Sequence, residues 1–363
     1  MHTRHSDKHP YRSTIITSLV LLTLVCLMLF GCSKDTAPLP EVLPLPLDQQ
    51  QLKQLYGMGT PYSQWYDSGE QLLSAEEREL NYRWLVPVTP PEAATTLPLL
   101  VFSHGNWSSQ LDYEPLLQHW VQQGYLVLSV NHLDCCSMAK GIFNALRFGN
   151  LTLIEQRAKD IGLLLDNLDT IRPHNAELAQ WDGEHLAITG HSFGAFTAQM
   201  FAGAQALNTD SNAYQGAEQL ALHPWLDKVD AVVAISPPGP MFDEITEHSW
   251  DQINKPMLVT TGTWDVEPRF FPQYQLHQMS YAKSPASDQY SLLLSGADHY
   301  FGHLICRPKR EVNAQDTQFE LLLSASTAFL DRYLKQDQAA LAYLAPDYLT
   351  QLTDGFARLD QKP

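Results

Sequence analysis

From residue 80 onward the chain returns repeatedly to short runs that are apolar almost throughout. They are 81–88 (NYRWLVPV), 97–102 (LPLLVF), 125–130 (YLVLSV), 185–189 (HLAIT), 230–235 (DAVVAI), 257–261 (MLVTT) and 290–294 (YSLLL). A strand with one wet face alternates apolar and polar residues, whereas a strand apolar at nearly every position is covered on both faces, as in mainly parallel sheets. The stretches between the runs carry helical periodicity. Residues 113–123 end at Gly124, a suitable helix C-cap, and residues 153–171 place Ile161, Leu164, Leu165 and Leu168 on one stripe. Residues 318–334 predict a long closing helix and 338–352 a surface helix. Strand–helix alternation of this kind predicts a single α/β domain, a doubly wound, mainly parallel sheet of about eight strands flanked by helices.

The front of the chain is different. Arg4, Lys8 and Arg12 precede an uncharged run at 14–30 (TIITSLVLLTLVCLMLF), followed by Gly31 and Cys32. A basic start, an apolar middle and a small-residue end describe an export signal; an uncleaved signal anchor is the alternative, because the run is close to the lower limit for a membrane span. The sequence LFGC resembles a bacterial lipobox. That resemblance implies lipidation of Cys32, which becomes the first mature residue, and a body held at the periplasmic face of a membrane. Ser33 resembles the sorting signals of outer-membrane lipoproteins. Pro38, Pro40, Pro44 and Pro46 then predict a semi-rigid spacer. The expected organisation is a signal at 1–31, a tether at 32–60 and one folded body at 61–363.

Composition narrows the function classes. A hydrophobic content of 44% excludes a disordered chain, and a net charge of −17 argues against nucleic acid as a partner. Residues 1–31 carry three basic groups and one acid, so the remainder is two charges more acidic still. Five cysteines in 363 residues do not make a disulfide scaffold.

Chemistry concentrates at Gly190-His191-Ser192-Phe193-Gly194, which follows the apolar run 185–189 and leads into a helical pattern. Strand, tight turn and helix form the context in which G-x-S-x-G presents a serine above a sheet edge. A serine nucleophile needs a base and a group to orient that base, in the chain order Ser, acid, His for this architecture. Asp265 stands just past the run 257–261, ahead of its rival Asp243, which lies outside that strand end. His299 stands just past 290–294, with His303 in reserve. The remaining histidines, His277 among them, read as surface or packing residues. All three chosen groups lie at the carboxyl ends of strands, where ligand chemistry sits in open α/β sheets. The amide of Phe193, and that of Asn106 in the loop Ser103-His104-Gly105-Asn106-Trp107, are the expected oxyanion donors.

The segments VFSHGNWSSQLDYEPLLQHWVQQGYLVLSVNH, ITGHSFGAFTAQ, VTTGTWD and SGADHYFG resemble α/β-hydrolases of the bacterial group related to platelet-activating-factor acetylhydrolase and to predicted dienelactone hydrolases. The similarity to cutinase-like polyester hydrolases is more distant. The resemblance covers most of residues 78–335. It implies an α/β-hydrolase fold and a Ser192-His299-Asp265 esterase without metal or organic cofactor, acting on small-molecule or lipid esters. Two departures stand out. Ser236 occupies the strand end that carries the acid in the eukaryotic acetylhydrolases, and Ser192 replaces the cysteine nucleophile of true dienelactone hydrolases. Residues 134–150 read either as a lid or acyl-pocket wall or as a buried connecting helix. In an oxidising compartment Cys135 or Cys136 could pair with Cys306, and Cys136–Cys306 is the expected bridge. The rival functions are a peptidase or thioesterase on the same triad, and a non-catalytic envelope binding lipoprotein.

Overall fold

The apolar runs pair into one large sheet. A computed structural model describes residues 38–75, 78–89, 96–268, 270–285 and 287–362; the expected signal and Cys32 lie outside them. In chain order the strands are β1 (Trp65–Asp67), β2 (Gln71–Ala75), β3 (Arg78–Pro87), β4 (Thr96–Ser103), β5 (Leu126–Asn131) and β6 (Gln180–His191). They continue with β7 (Gln205–Asn208), β8 (Ala213–Gly216), β9 (Val229–Ile235), β10 (Met257–Gly262), β11 (Gln289–Leu294) and β12 (Ala357–Lys362). Ten of them form a sheet of order β1-β3-β5-β4-β6-β9-β10-β11-β12, with β2 also paired to β3; β7 and β8 make a separate hairpin. Pairing is parallel from β5 across to β11 and antiparallel at both margins. The chain runs from β4 out to β5 and then back past β4 to β6. The order therefore switches direction between β4 and β6, the place where such sheets open a crevice at the strands' carboxyl ends.

Burial on both faces is visible within single strands. In β4, Leu99 and Val101 enter one core with Trp84, Ile188, Ile161 and Leu164, while Leu100 and Phe102 enter the other with Trp120, Val233, Leu292 and Phe329. The first core is closed by α3 (Asn150–Asp166) and α4 (Phe193–Met200), and the second by α1 (Glu114–Gln122) and α5 (Asp316–Leu334); α2 (Met138–Phe148) lies between β5 and α3 in the chain. Among the described residues no helix is long and apolar enough to cross a membrane.

Three expectations are corrected. The surface helix expected at 338–352 is two short ones, Gln338–Tyr343 and Tyr348–Leu352, because Pro346 stands between them and cannot continue a helix. The chain then turns at Gly355 into β12, which covers the free edge of β11. The segment expected as a tether lies on the body from Pro38 onward rather than free of it. Trp264 Nε1 donates to the Pro40 carbonyl at 2.8 Å, the Leu43 amide donates to Ser295 Oγ at 2.8 Å, and Val42, Leu45 and Leu47 pack on the second core. Finally, the disulfide joins the neighbours Cys135 and Cys136, leaving Cys306 a free, buried thiol. Cys136 has a positive φ of 78°. Its amide is tied to the Ser108 carbonyl at 2.9 Å, while Cys306 is enclosed against Arg307 and the loop at Gly105. Non-reducing peptide mapping of the full chain is expected to find Cys135 and Cys136 linked within one peptide. Cys306 should accept an alkylating reagent only after unfolding; a Cys136–Cys306 cross-linked peptide contradicts this arrangement.

Candidate active site

Strand β6 delivers the chain to Ser192, and α4 begins one residue later. Ser192 has φ 54° and ψ −123°, a region a serine enters at a cost of about 1–3 kcal/mol, sustained by the packing around it. The flanking glycines explain why the motif has this form. A Cβ on Gly190 would lie 2.2 Å from the Gly194 carbonyl oxygen, and a Cβ on Gly194 would lie 2.1 Å from that of Ser103. Neither site admits a side chain while α4 crosses this close to β6 and to the end of β4. The Ser192 amide donates to Ile235 of β9 at 2.8 Å, which fixes the turn to the sheet.

The carboxyl ends of β10 and β11 bring Asp265 and His299 together. His299 Nδ1 lies 2.8 Å from Asp265 Oδ1, and Thr261 Oγ1 donates to Asp265 Oδ2 at 2.9 Å. Asp265 is only 1% exposed. Burial opposes its ionisation, yet the adjacent His277 and His299 hold its carboxyl well below the usual carboxylate range. The rivals sit elsewhere: Asp243 is exposed, and His303 is half-buried with its ring engaged by the Val312 carbonyl. Among the described residues no hydrogen bond joins Ser192 Oγ to the His299 ring. Such catalytic contacts are often long without substrate and tighten in the complex.

A buried chain of hydrogen bonds ties the three strand-end loops to one another. The Gly105 amide donates to Tyr113 Oη at 2.8 Å, and Tyr113 Oη lies 2.8 Å from His191 Nδ1. His191 Nε2 lies 2.9 Å from the His299 carbonyl. A phenol that accepts from an amide donates its own hydrogen onward, so His191 Nδ1 accepts and Nε2–H donates. Burial, reinforced by His299, holds His191 well below the usual histidine range, in keeping with that neutral form. Beneath the loop of the expected oxyanion donors, buried Arg157 donates to the His104 carbonyl at 2.8 Å and to Asp134 at 2.7 and 3.0 Å. Its guanidinium stacks 4.5 Å from the Phe193 ring centroid. From the far side, Arg307 donates to the Asn106 carbonyl at 2.9 Å. Tyr113, His191 and Arg157 carried no sequence signal of this role beyond lying near motif residues.

His277 is the residue that sequence reasoning left among the packing histidines. It is fully buried at the Asp265 carboxylate, with Nε2 2.9 Å from Oδ1 and Nδ1 2.8 Å from the Pro237 carbonyl. Pro237 directly follows Ser236, the position that departs from the acetylhydrolase pattern. Asp265, His277 and His299 thus form a cluster of metal-ligand type. Both ring nitrogens approach the same carboxylate oxygen at 2.8–2.9 Å. A zinc ion with ligands at about 2.0–2.2 Å would need that contact opened, so the geometry fits a carboxylate compensated by two imidazoles better than a metal site.

The rim of the site is aromatic. The Trp107 indole meets Gly141 of α2 and lies edge-on to Phe270; next to Phe270, Phe271 stacks on His299. The segment expected as lid or pocket wall is α2, which turns Met138, Ile142, Phe143 and Leu146 to solvent rather than burying them. The cavity of about 490 Å³ lined by Trp84, Trp181 and Trp225 is reached from the start of β6, the end of that strand opposite Ser192.

No family model matches the chain, and no curated protein matches it. Among solved structures, a ferulic acid esterase from Streptomyces cinnamoneus is similar at 16% identity and a TM-score of 0.49, over 72% of this chain and 84% of that one. A dienelactone hydrolase from Anabaena variabilis is similar at 18% identity and a TM-score of 0.47, over 75% and 98%. The mainly parallel, doubly wound sheet with a strand–elbow–helix at its switch point is the α/β-hydrolase fold. Tyr113→Phe strands the Gly105 amide and His191 Nδ1 without a partner. Chemical denaturation is expected to show a loss of about 1–3 kcal/mol, and an unchanged midpoint contradicts the proposed coupling of the loops.

Proposed function

We propose that this chain is a serine-dependent carboxylic-ester hydrolase. The observation that carries the reading is the Asp265–His299 pair, held at 2.8 Å at the sheet edge that also presents Ser192 on its strained turn. His299 takes the Ser192 proton as the hydroxyl attacks the ester carbonyl, and Asp265 fixes the imidazole tautomer. The amides of Asn106 and Phe193 receive the oxyanion. His299 then protonates the departing alkoxide, and water, activated by the same base, releases the acid from the acyl-enzyme.

The aromatic rim at Trp107 and Phe270 and the outward apolar side chains of α2 favour esters with an apolar acyl or alcohol part. A peptidase or thioesterase would use the same three residues, and no feature near the site favours either.

The export signal and lipobox-like Cys32 support a lipid-anchored protein at the periplasmic face, in the outer membrane by the resemblance of Ser33. The first described residues rest on Trp264 and Ser295, at the carboxyl ends of β10 and β11. The six residues from Cys32 to Pro38 span at most about 20 Å. The anchor therefore leaves the body at the edge that carries the site, within reach of lipid-dissolved esters.

Ser192→Ala is expected to fold normally and to lose hydrolysis of p-nitrophenyl esters by at least about 10³-fold; retained activity rejects the assignment. Metabolic labelling of the expressing bacterium with a fatty acid is expected to mark the unmodified chain and not Cys32→Ser, and an unmarked chain rejects the lipid anchor.

A further inference from the structure

The Asp265 carboxylate serves two histidines, and a simple triad has use for one. The second, His277, lies in the turn Tyr274–Gln278 and is fully buried. Its Nδ1 is 2.8 Å from the Pro237 carbonyl. A carbonyl oxygen can only accept, so Nδ1 carries a hydrogen. A neutral imidazole has one ring hydrogen, and a neutral His277 would therefore turn a bare Nε2 toward the Asp265 oxygen 2.9 Å away. Two electron-rich atoms in contact at a dry site repel each other, and a second ring proton removes the conflict. The contact is too bent for a good hydrogen bond, so it acts chiefly as a charge contact.

We propose that His277 is a positioning residue that stays protonated against Asp265, and that the charge it adds beside the triad sets the acid limit of activity at Ser192. This rests on the reading of Ser192, His299 and Asp265 as the catalytic triad. Among the described residues, Asp265 and His299 are the titratable groups that face the His277 ring, His299 at 5.5 Å between centroids. Phe271, at 4.5 Å, closes its other side. Burial disfavours charge on His277, but the Asp265 carboxylate outweighs it and moves the ring above the usual histidine range. The sign follows from charge. With His277 cationic, any further proton taken up at the Asp265 cluster meets a like charge nearby, so the acid limb of activity lies lower than it would without His277. In the reaction the Ser192 proton passes to His299 Nε2, while the His277 proton stays where it is.

The test is His277→Gln in the full-length chain in detergent micelles, since Gln can keep an N–H toward Asp265 without the charge. The rate of Ser192 labelling by a fluorophosphonate is followed from about pH 4.5 to 9. The variant's acid limb is expected about one pH unit above that of the unmodified chain. A purely structural role would lower the plateau and leave the limb in place, and coincident limbs overturn the proposal. Ring nitrogen NMR of the unmodified chain provides a readout independent of activity and of how well the variant folds. Two protonated nitrogens on His277 at about pH 8 support the proposal, and a bare Nε2 overturns it. If Ser192 takes no label at all, the triad reading fails, and the NMR result still decides the charge of His277.

Discussion

A carboxylate removed from water remains charged only if its oxygens are fully engaged, and Asp265 satisfies that condition with three side chains. Thr261, on the strand that leads to Asp265, holds one oxygen, while His299 and His277 share the other. Burial alone would push its proton affinity up; the two rings reverse the direction. The orientation of His299, and hence any base available to Ser192, depends on this charge remaining in place. The second ring also explains how an acid at the end of β10 can be supported from the end of β9, through the Pro237 carbonyl that His277 holds.

The loops that meet at this edge are set by backbone proximity as much as by side chains. α4 passes so close to β4 and β6 that glycine is required on both sides of the turn that carries Ser192. Tyr113 and His191 then connect the loop after β4 to the elbow and the elbow to the loop that carries His299. The loop after β4, the turn at Ser192 and the loop of His299 are thereby coupled through largely buried groups. Arg157 and Arg307 hold the first of these loops from opposite sides. One consequence is that changes at residues far from Ser192 in sequence, such as Tyr113, act on the same loops as changes in the elbow.

The strands of the central sheet were legible because each is apolar on both faces, and the tight turn at Ser192 because its pentapeptide sits between such a strand and a helix. Asp265 and His299 followed from chain order and strand ends. The margins of the sheet were less legible. β12 reads ARLDQK, with Ala357 and Leu359 inward and Arg358 outward, a one-sided pattern that resembles any polar tail until β11 offers it an edge. His277 could not be singled out among fourteen histidines, because its role comes from a turn that folds back onto β9 and β10. The cysteine pairing depended on a local backbone twist at Cys136 that composition does not encode.

The segment that begins at Pro38 lies on the body at the same edge as the site, so the proposed anchor would share one side of the molecule with the aromatic rim. Whatever the ester, the chemistry proposed requires a covalent acyl group on Ser192 before water arrives. Rapid acid quench of the full-length chain during turnover of a p-nitrophenyl ester, followed by peptide mass spectrometry, tests this directly. The account predicts that the peptide containing Ser192 gains the mass of the acyl group and that Ser192→Ala does not. Hydrolysis that proceeds at full rate in the Ser192→Ala variant, with no acyl group on Ser192 in the unmodified chain, would contradict it.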